Sequence, residues 1–174
     1  MQQPNMDVIE AILTRRSIRK YTSQPVSDEQ TEILLKSAMY APSAVNKQPW
    51  HFLVFRNKTI SKKIAAFHPN AQMLKDASLG ILVCFDEKLQ HDTGYGELDC
   101  SAATQNILLA AHGIGLGAVW IGIFPRKGRM ESIKKLFSLP LNIIPFALIA
   151  VGYPDERKVN PVRYRTDRIH CEKW

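Results

Sequence analysis

Residues 97–124 read ELDCSAATQNILLAAHGIGLGAVWIGIF, and the fold turns on this stretch. Glu97 to His112 is rich in small residues and apolar on nearly all sides, the pattern of a helix buried by its own chain or by a partner. Gly113, Gly115 and Gly117 interrupt it, and Ala118 to Phe124 continues as an apolar segment of strand length. The run from Cys100 to Pro125 carries no formal charge and is long enough to span a bilayer. Its Ser101, Thr104, Gln105, Asn106, His112 and four glycines, with no basic flank on the N-terminal side, favour a buried helix followed by a buried strand. Gly113-x-Gly115-x-x-Ala118 also has the spacing of a dinucleotide-binding turn, but that motif leaves a strand and opens a helix whose N–H groups meet the pyrophosphate. Here the order is reversed, so the glycines read as a helix stop and a tight turn.

Outward from this stretch, helical and strand patterns alternate. Val8, Ile9, Ile12 and Leu13 predict a short amphipathic helix over Asp7–Thr14. Ser27-x-x-Gln30 is a capping box ahead of Ile33, Leu34, Ala38 and Met39, and Pro42 stops that second helix. Trp50 to Arg56 alternates as a strand, Ser61–Phe67 and Ala71–Ala77 read as short helices, and the continuous apolar run Leu79–Phe85 predicts a central strand. Downstream lie an amphipathic helix over Gly128–Phe137 and a strand over Ile144–Val151, with Pro145 expected at the start of pairing or on an edge. Residues 154–174 form a basic tail without periodicity. Four strands separated by helices, with no internal repeat and no linker, predict one α/β or α+β domain over residues 1–174.

Composition narrows the function classes. With 174 residues, 45% of them hydrophobic and 22% charged, the chain can bury a core, which excludes wholesale disorder. Cys84, Cys100 and Cys171 are widely spaced and odd in number, so neither a disulfide framework nor a cysteine zinc site is expected, and a reducing cytoplasm is the simplest compartment. No basic segment leads into an apolar one near the N-terminus, so no signal peptide is expected. The net charge of +7 is concentrated: Arg15–Lys20, Arg126–Lys135 and Arg157–Arg168 together carry +12, leaving −5 for the rest. Such clusters can meet as a nucleic-acid patch or hold one discrete anion.

The remaining motifs, taken singly, leave both open. The five histidines include no metal-binding pair at i,i+4, the acidic residues form no ligand cluster, and no G-x-S-x-G elbow surrounds a serine. His112 reads as a helix-terminal histidine rather than a general base. Arg15-Arg16-Ser17-x-Arg19 offers guanidinium forks and a hydroxyl after a helix, which suits a phosphate, although arginines also complement the negative end of a helix. Pro42-Ser43-x-x-Asn46-x-Gln48-Pro49-Trp50 is a proline-stiffened polar loop suited to a planar heterocycle or a polyol, or to an ordinary helix-to-strand turn.

Four features in this order and spacing resemble a short-chain branch of the nitroreductase-family flavoproteins over about Asp7 to Trp174: Arg15-Arg16-Ser17-Ile18-Arg19, the loop from Ala41 to Phe52, the Gly115–Gly122 stretch, and Arg163-Tyr164-Arg165. The resemblance implies an α+β fold with a central, mostly antiparallel sheet flanked by helices. It also implies an obligate homodimer with one FMN at each of two subunit interfaces. Position by position, Arg15, Arg16, Ser17 and Arg19 would hold the FMN phosphate, ribityl chain and pyrimidine edge, with Arg163 and Arg165 completing the phosphate site. Pro42, Ser43, Ala44 and Asn46 would meet the same flavin from the partner subunit, and Gln48 would support the ring edge. Ile121 and Gly122 would lie beside the isoalloxazine, where a backbone N–H can bond flavin N5. Larger relatives often carry an acidic residue where Ile121 stands, and their pyrimidine-side lysine has no secure equivalent among Asn70, Gln72 and Lys75. The larger members' helical cover would be reduced to the Asp86–Gly96 connection.

The implied activity is a cytoplasmic NAD(P)H-dependent FMN oxidoreductase with no catalytic side chain and no metal. NADH or NADPH would deliver hydride to flavin N5 and leave, and a nitroaromatic, quinone or related small-molecule acceptor would then enter the same cleft. Arg168 and the Arg126–Arg129 pair are candidates for attracting the nicotinamide cofactor's phosphates. No nucleic acid and no membrane is expected as a partner. The rival readings are an FMN-binding redox sensor or carrier without turnover, and a basic nucleic-acid-binding module.

Overall fold

The computed structural model describes residues 6–174. Asp7 caps the first helix, α1 (Val8–Thr14), through its side chain, and the Ser27–Gln30 capping box opens α2 (Asp28–Met39) with both reciprocal hydrogen bonds in place. Strand β1 (Trp50–Phe55) leads to α3 (Lys58–Phe67), which starts earlier than its apolar pattern because Asn57 caps it. The expected short helix over Ala71–Ala77 is instead a 3-10 segment, Pro69–Lys75, interrupted at Ala71. Strand β2 (Leu79–Asp86), helix α4 (Tyr95–Gly113), strand β3 (Gly117–Gly122), helix α5 (Lys127–Phe137) and strand β4 (Ile143–Gly152) follow.

The four strands form one antiparallel sheet in the order β1-β2-β4-β3, so β2 and β4 are the inner strands. Side-chain alternation along them separates two cores. Ile81, Val83 and Ile149 pack with Leu34, Ala38, Cys100 and Ile107, which places α2 and α4 on one face. Leu82, Cys84 and Leu148 pack with Ile64, Leu74 and Ile133, which places α3, the 3-10 segment and α5 on the other. The fold is thus α+β, with a helical layer on each side of an antiparallel sheet. Pro145 is not at an edge: it sits in the inner strand β4 opposite Cys84, where the β2–β4 register shifts, so a bulge accommodates the missing donor. Helix α4 buries Cys100, Ala103, Ile107 and Ala111 against its own chain, while Leu98 stays exposed.

Strand β3 is the element that positions the site. Its outer edge is not paired with another strand; Ser17 makes an isolated parallel bridge to Ala118, and the Ile18 N–H donates to the Ala118 carbonyl at 3.0 Å. Gly117 is needed there, because a Cβ would lie 2.7 Å from the Ile18 side chain. Gly115, at φ 80°, makes the turn from α4 into β3, as the glycine spacing requires. The chain after α1 therefore meets β3 at its first residues, Gly117 and Ala118, and then passes to Tyr153 and Pro154 beyond β4.

Candidate functional site

The Arg15–Arg19 segment divides its cations by role. The Arg16 guanidinium is committed to backbone carbonyls: it donates to Arg15 at 2.6 Å, to Leu13 at 3.1 Å and, more weakly, to Val159 at 3.4 Å. It caps the C-terminal end of α1, which has no basic residue in its own last turn. Arg15 differs. Its Nη1 is shielded from solvent and has no hydrogen-bond partner among the described residues. Burial, followed by Arg163 and then Arg16, lowers its affinity for a proton below that of a free guanidinium. Three guanidinium groups thus repel one another around a buried donor with nothing to bond, an arrangement that a phosphate would satisfy. Arg165 lies outside this cluster of mutual influence: it is exposed and bound to Asp167 by two hydrogen bonds of 2.9 and 2.8 Å.

Next to this segment is a cleft of about 470 Å³ on the α3/α5 face of β3, lined by Arg19, His68, Asn70, Gln72, Ile121 and Arg129 among others. No carboxylate lines it. Ile121 is buried, and the Gly122 carbonyl accepts two donors, His68 Nε2 at 3.0 Å and Arg129 Nη1 at 2.9 Å. His68 is fully buried and its Nδ1 has no partner among the described residues. Burial holds its pKa below the usual imidazole value; the Gly122 bond opposes that effect and Arg129 adds to it. Lys75 lies apart from this cleft, lining a different depression with Tyr21 and Arg56.

The loop between α2 and β1 is elsewhere on the chain. Pro42, Ser43 and Ala44 line a shallow hollow with Tyr95, Leu98 and Asp99 of α4. Val45, Asn46 and Gln48 all have positive φ (52°, 55° and 49°), an uncommon conformation for non-glycine residues and a strained one for the β-branched Val45. Two contacts hold the loop: the Gln48 N–H donates to Ser43 Oγ at 3.0 Å, and the Ala44 N–H donates to the buried Asp99 Oδ1 at 2.9 Å. Asp99 Oδ2 is shielded and has no partner.

Of the residues expected at the site, Arg19, Ile121 and Gly122 line one cleft, Ser17 bridges to Ala118 of the same strand, Arg16 lies in a neighbouring hollow with His112 and Gly115, and Arg15 is within electrostatic reach of Arg16 and Arg163. Pro42, Ser43 and Ala44 line a separate hollow, and Asn46 and Gln48 belong to the same loop, away from that cleft. His68, Asp99 and the placement of Arg129 were not read from the sequence. A lone histidine before Pro69 carries no pattern. Asp99 did carry a signal, since an acid one residue before Cys100 in a helix otherwise apolar on that side needs a buried partner. Among the described residues no three His, Cys, Asp or Glu side chains assemble as a metal group, and no helix is long and apolar enough to cross a membrane. The buried Cys84 thiol is pushed up to about 12 by burial, which removes it as a nucleophile.

A cationic segment at the edge of β3, beside a polar cleft whose lining includes no carboxylate, has the charge to suit an anionic group. The chain belongs to the Nitroreductase family, whose profile matches residues 12–68 and 68–153. It is 51% identical over 169 residues to a protein of Methanothermobacter thermautotrophicus provisionally named NADH dehydrogenase/NAD(P)H nitroreductase, covering 97% of this chain and 88% of that one. Its fold is similar to an FMN-dependent nitroreductase of Clostridium difficile (TM-score 0.88, 27% identity, 95% of this chain and 99% of that one). It also superimposes on a Desulfovibrio desulfuricans protein solved in complex with FMN (TM-score 0.84, 32% identity, 100% of this chain and 99% of that one).

Proposed function

We propose that the protein is an NAD(P)H-dependent FMN oxidoreductase that reduces nitroaromatics, quinones or related electron-poor acceptors. The observation that carries this reading is the shielded Nη1 of Arg15, unpartnered among the described residues and beside Arg16 and Arg163, a donor set that fits a phosphate. Bound FMN supplies the redox chemistry, accepting a hydride from NAD(P)H and passing it to an acceptor that enters the same cleft. The protein's contribution is binding, orientation and charge.

Arg15 and Arg163 hold the phosphate, and Ser17, bridged to Ala118, brings its hydroxyl to the same edge. Arg165 exchanges Asp167 for the phosphate on binding. Arg16 supports the site by capping α1 and fixing the backbone from which Arg15 projects. Arg19, with Asn70 and Gln72, meets the electron-poor pyrimidine edge, where a fixed cation stabilises the charge that reduction places there. Ile121 and Gly122 lie beside the ring, where a backbone N–H on the outer edge of β3 can bond flavin N5, and the double anchorage of the Gly122 carbonyl keeps that strand end in place.

The site is completed by a second copy of the chain. Val8, Ile9, Ile12 and Leu13 of α1, Tyr40 at the end of α2 and Val162 of the tail are exposed, apolar side chains that a second copy would cover. A homodimer covers it and brings the Pro42–Gln48 loop of one chain to the flavin of the other. Steady-state kinetics test the reading. NAD(P)H oxidation requires FMN and an acceptor, and varying both substrates gives parallel double-reciprocal lines; intersecting lines, or oxidation independent of FMN, would refute it.

A further inference from the structure

The basic window Arg126–Lys135 contributes nothing to the phosphate cluster, yet it is placed at the cleft. Helix α5 opens with Arg126 and Lys127, followed by Arg129, and has no acidic residue in its first turn and no side-chain cap. Cations at the positive end of a helix dipole oppose it, so the sequence puts charge where the fold resists it. One of these cations is fixed in the cleft: Arg129 Nη1 donates to the Gly122 carbonyl at 2.9 Å, and Arg129 lines the cleft together with Ile121 and Gly122. Among the described residues Arg129 has no carboxylate partner and no other side-chain hydrogen bond, leaving most of its donors unused. The second donor on the same carbonyl, His68, has a fully buried ring with Nδ1 unpartnered. Burial keeps that ring neutral near pH 7, so Arg129 and Arg19 are the two cations of a cleft with no carboxylate.

Resting on the flavin reading above, we propose that Arg129 makes this cleft selective for electron acceptors that carry an anionic substituent, a carboxylate or sulfonate, on an aromatic or quinoid ring. The anchorage to Gly122 explains why the acceptor, rather than a pyridine nucleotide, is the partner. A guanidinium tied to the strand residue beside the flavin reaches a group attached directly to a ring stacked there, whereas the phosphates of a dinucleotide lie further from its own reacting ring. Arg19 is the cation used by the flavin itself, and Arg129 is the one left for the substrate.

The test compares FMN-loaded wild type with Arg129→Gln, in which the side-chain amide can still donate to the Gly122 carbonyl but carries no charge. Two ligand pairs are used: benzoate against benzamide, for binding to the oxidised protein read by the flavin difference spectrum, and 4-nitrobenzoate against 4-nitrobenzamide, for kcat/KM. Wild type is expected to prefer the anion by about tenfold in both assays, the scale of one charge-assisted hydrogen bond, and the variant to lose that preference. In wild type the preference also shrinks as ionic strength rises. Equal preference in the two proteins, or a wild type that favours the amides, overturns the proposal. Should the variant fail to fold, a wild-type preference that is absent or independent of salt overturns it. Binding of benzoate without any turnover would instead count against the reductase reading and leave the anion subsite standing.

Discussion

Replacing Arg15 with methionine separates a ligand-binding guanidinium from a structural one. In the free protein Arg15 Nη1 is shielded and unpartnered, and Arg163 and Arg16 both act against its charge. An unsatisfied buried donor costs about 1–3 kcal/mol, so Arg15→Met leaves the FMN-free protein as stable as wild type or more stable by up to about that amount. With a phosphate bound, the same group makes charge-assisted hydrogen bonds. Losing one or two of them costs about 2–4 kcal/mol, a fall in FMN affinity of about 30- to 1,000-fold. Arg16→Met is the internal control. Its three carbonyl contacts belong to the fold, so it lowers the stability of the FMN-free protein by about 1–2 kcal/mol, the opposite pattern. The assays are urea unfolding of both FMN-free variants and FMN fluorescence titration. An Arg15→Met protein that is destabilised by about 2 kcal/mol or more, with FMN affinity within threefold of wild type, would show that Arg15 is a structural residue and that the phosphate lies elsewhere.

The other predictions concern the second subunit, the loop and pH. Mixing unfolded Arg15→Met with Ser43→Glu and refolding them together restores one intact site in each mixed dimer, about one quarter of wild-type sites, whereas either variant alone stays inactive; no recovery in the mixture would place both residues on one side of the site. Asp99→Ala removes the carboxylate that holds the Ala44 N–H and weakens FMN binding about tenfold, while Asp99→Asn, whose side-chain carbonyl can still accept, recovers most of it. Equal losses in the two variants would mean that the charge of Asp99, rather than its grip on the loop, is what matters. His68 and His112 both have pKa values lowered from 6.5, by burial first and then by the neighbouring arginines, with the Gly122 bond opposing this at His68. Their stabilising contribution is therefore complete above about pH 6.5 and is lost as pH falls through the depressed values. Urea midpoints fall between about pH 7.5 and 5, and His68→Gln, which cannot titrate, flattens that slope; an unchanged slope would acquit His68.

The local elements were legible in the sequence because short-range rules specify them. Asp7 and Ser27 cap their helices through their own side chains, and the glycines after His112 turn α4 into β3. The strand order was not legible, since the pairing of β4 between β2 and β3 depends on which apolar faces meet across the sheet, and both inner strands are apolar on both faces over nearly their whole length. Pro145, open in the sequence between the start of pairing and an edge, lies third in the inner strand β4, where the bulge opposite Cys84 accommodates it. At the site, two adjacent arginines have identical chemistry in the sequence. That Arg16 caps α1 while Arg15 is left unpartnered depends on Leu13 and Val159 carbonyls that only the fold brings near. The helix-cap reading of the cluster thus holds for Arg16, and the anion site is the reading proposed for Arg15. The net charge of +7 resolves in the same way, with one basic window at the proposed phosphate, one at the helix start beside the cleft, and one in the tail that reaches Arg15 through Arg163.

The most direct measurement is anaerobic mixing of the FMN-loaded protein with NADH and, separately, with NADPH, followed by addition of a nitroaromatic or a quinone. The account predicts that at least one nucleotide bleaches the yellow flavin band completely and that the acceptor restores it, with each half-reaction observed on its own. Persistence of the oxidised band with both nucleotides would contradict it, leaving a protein that binds flavin without using it as a reductase.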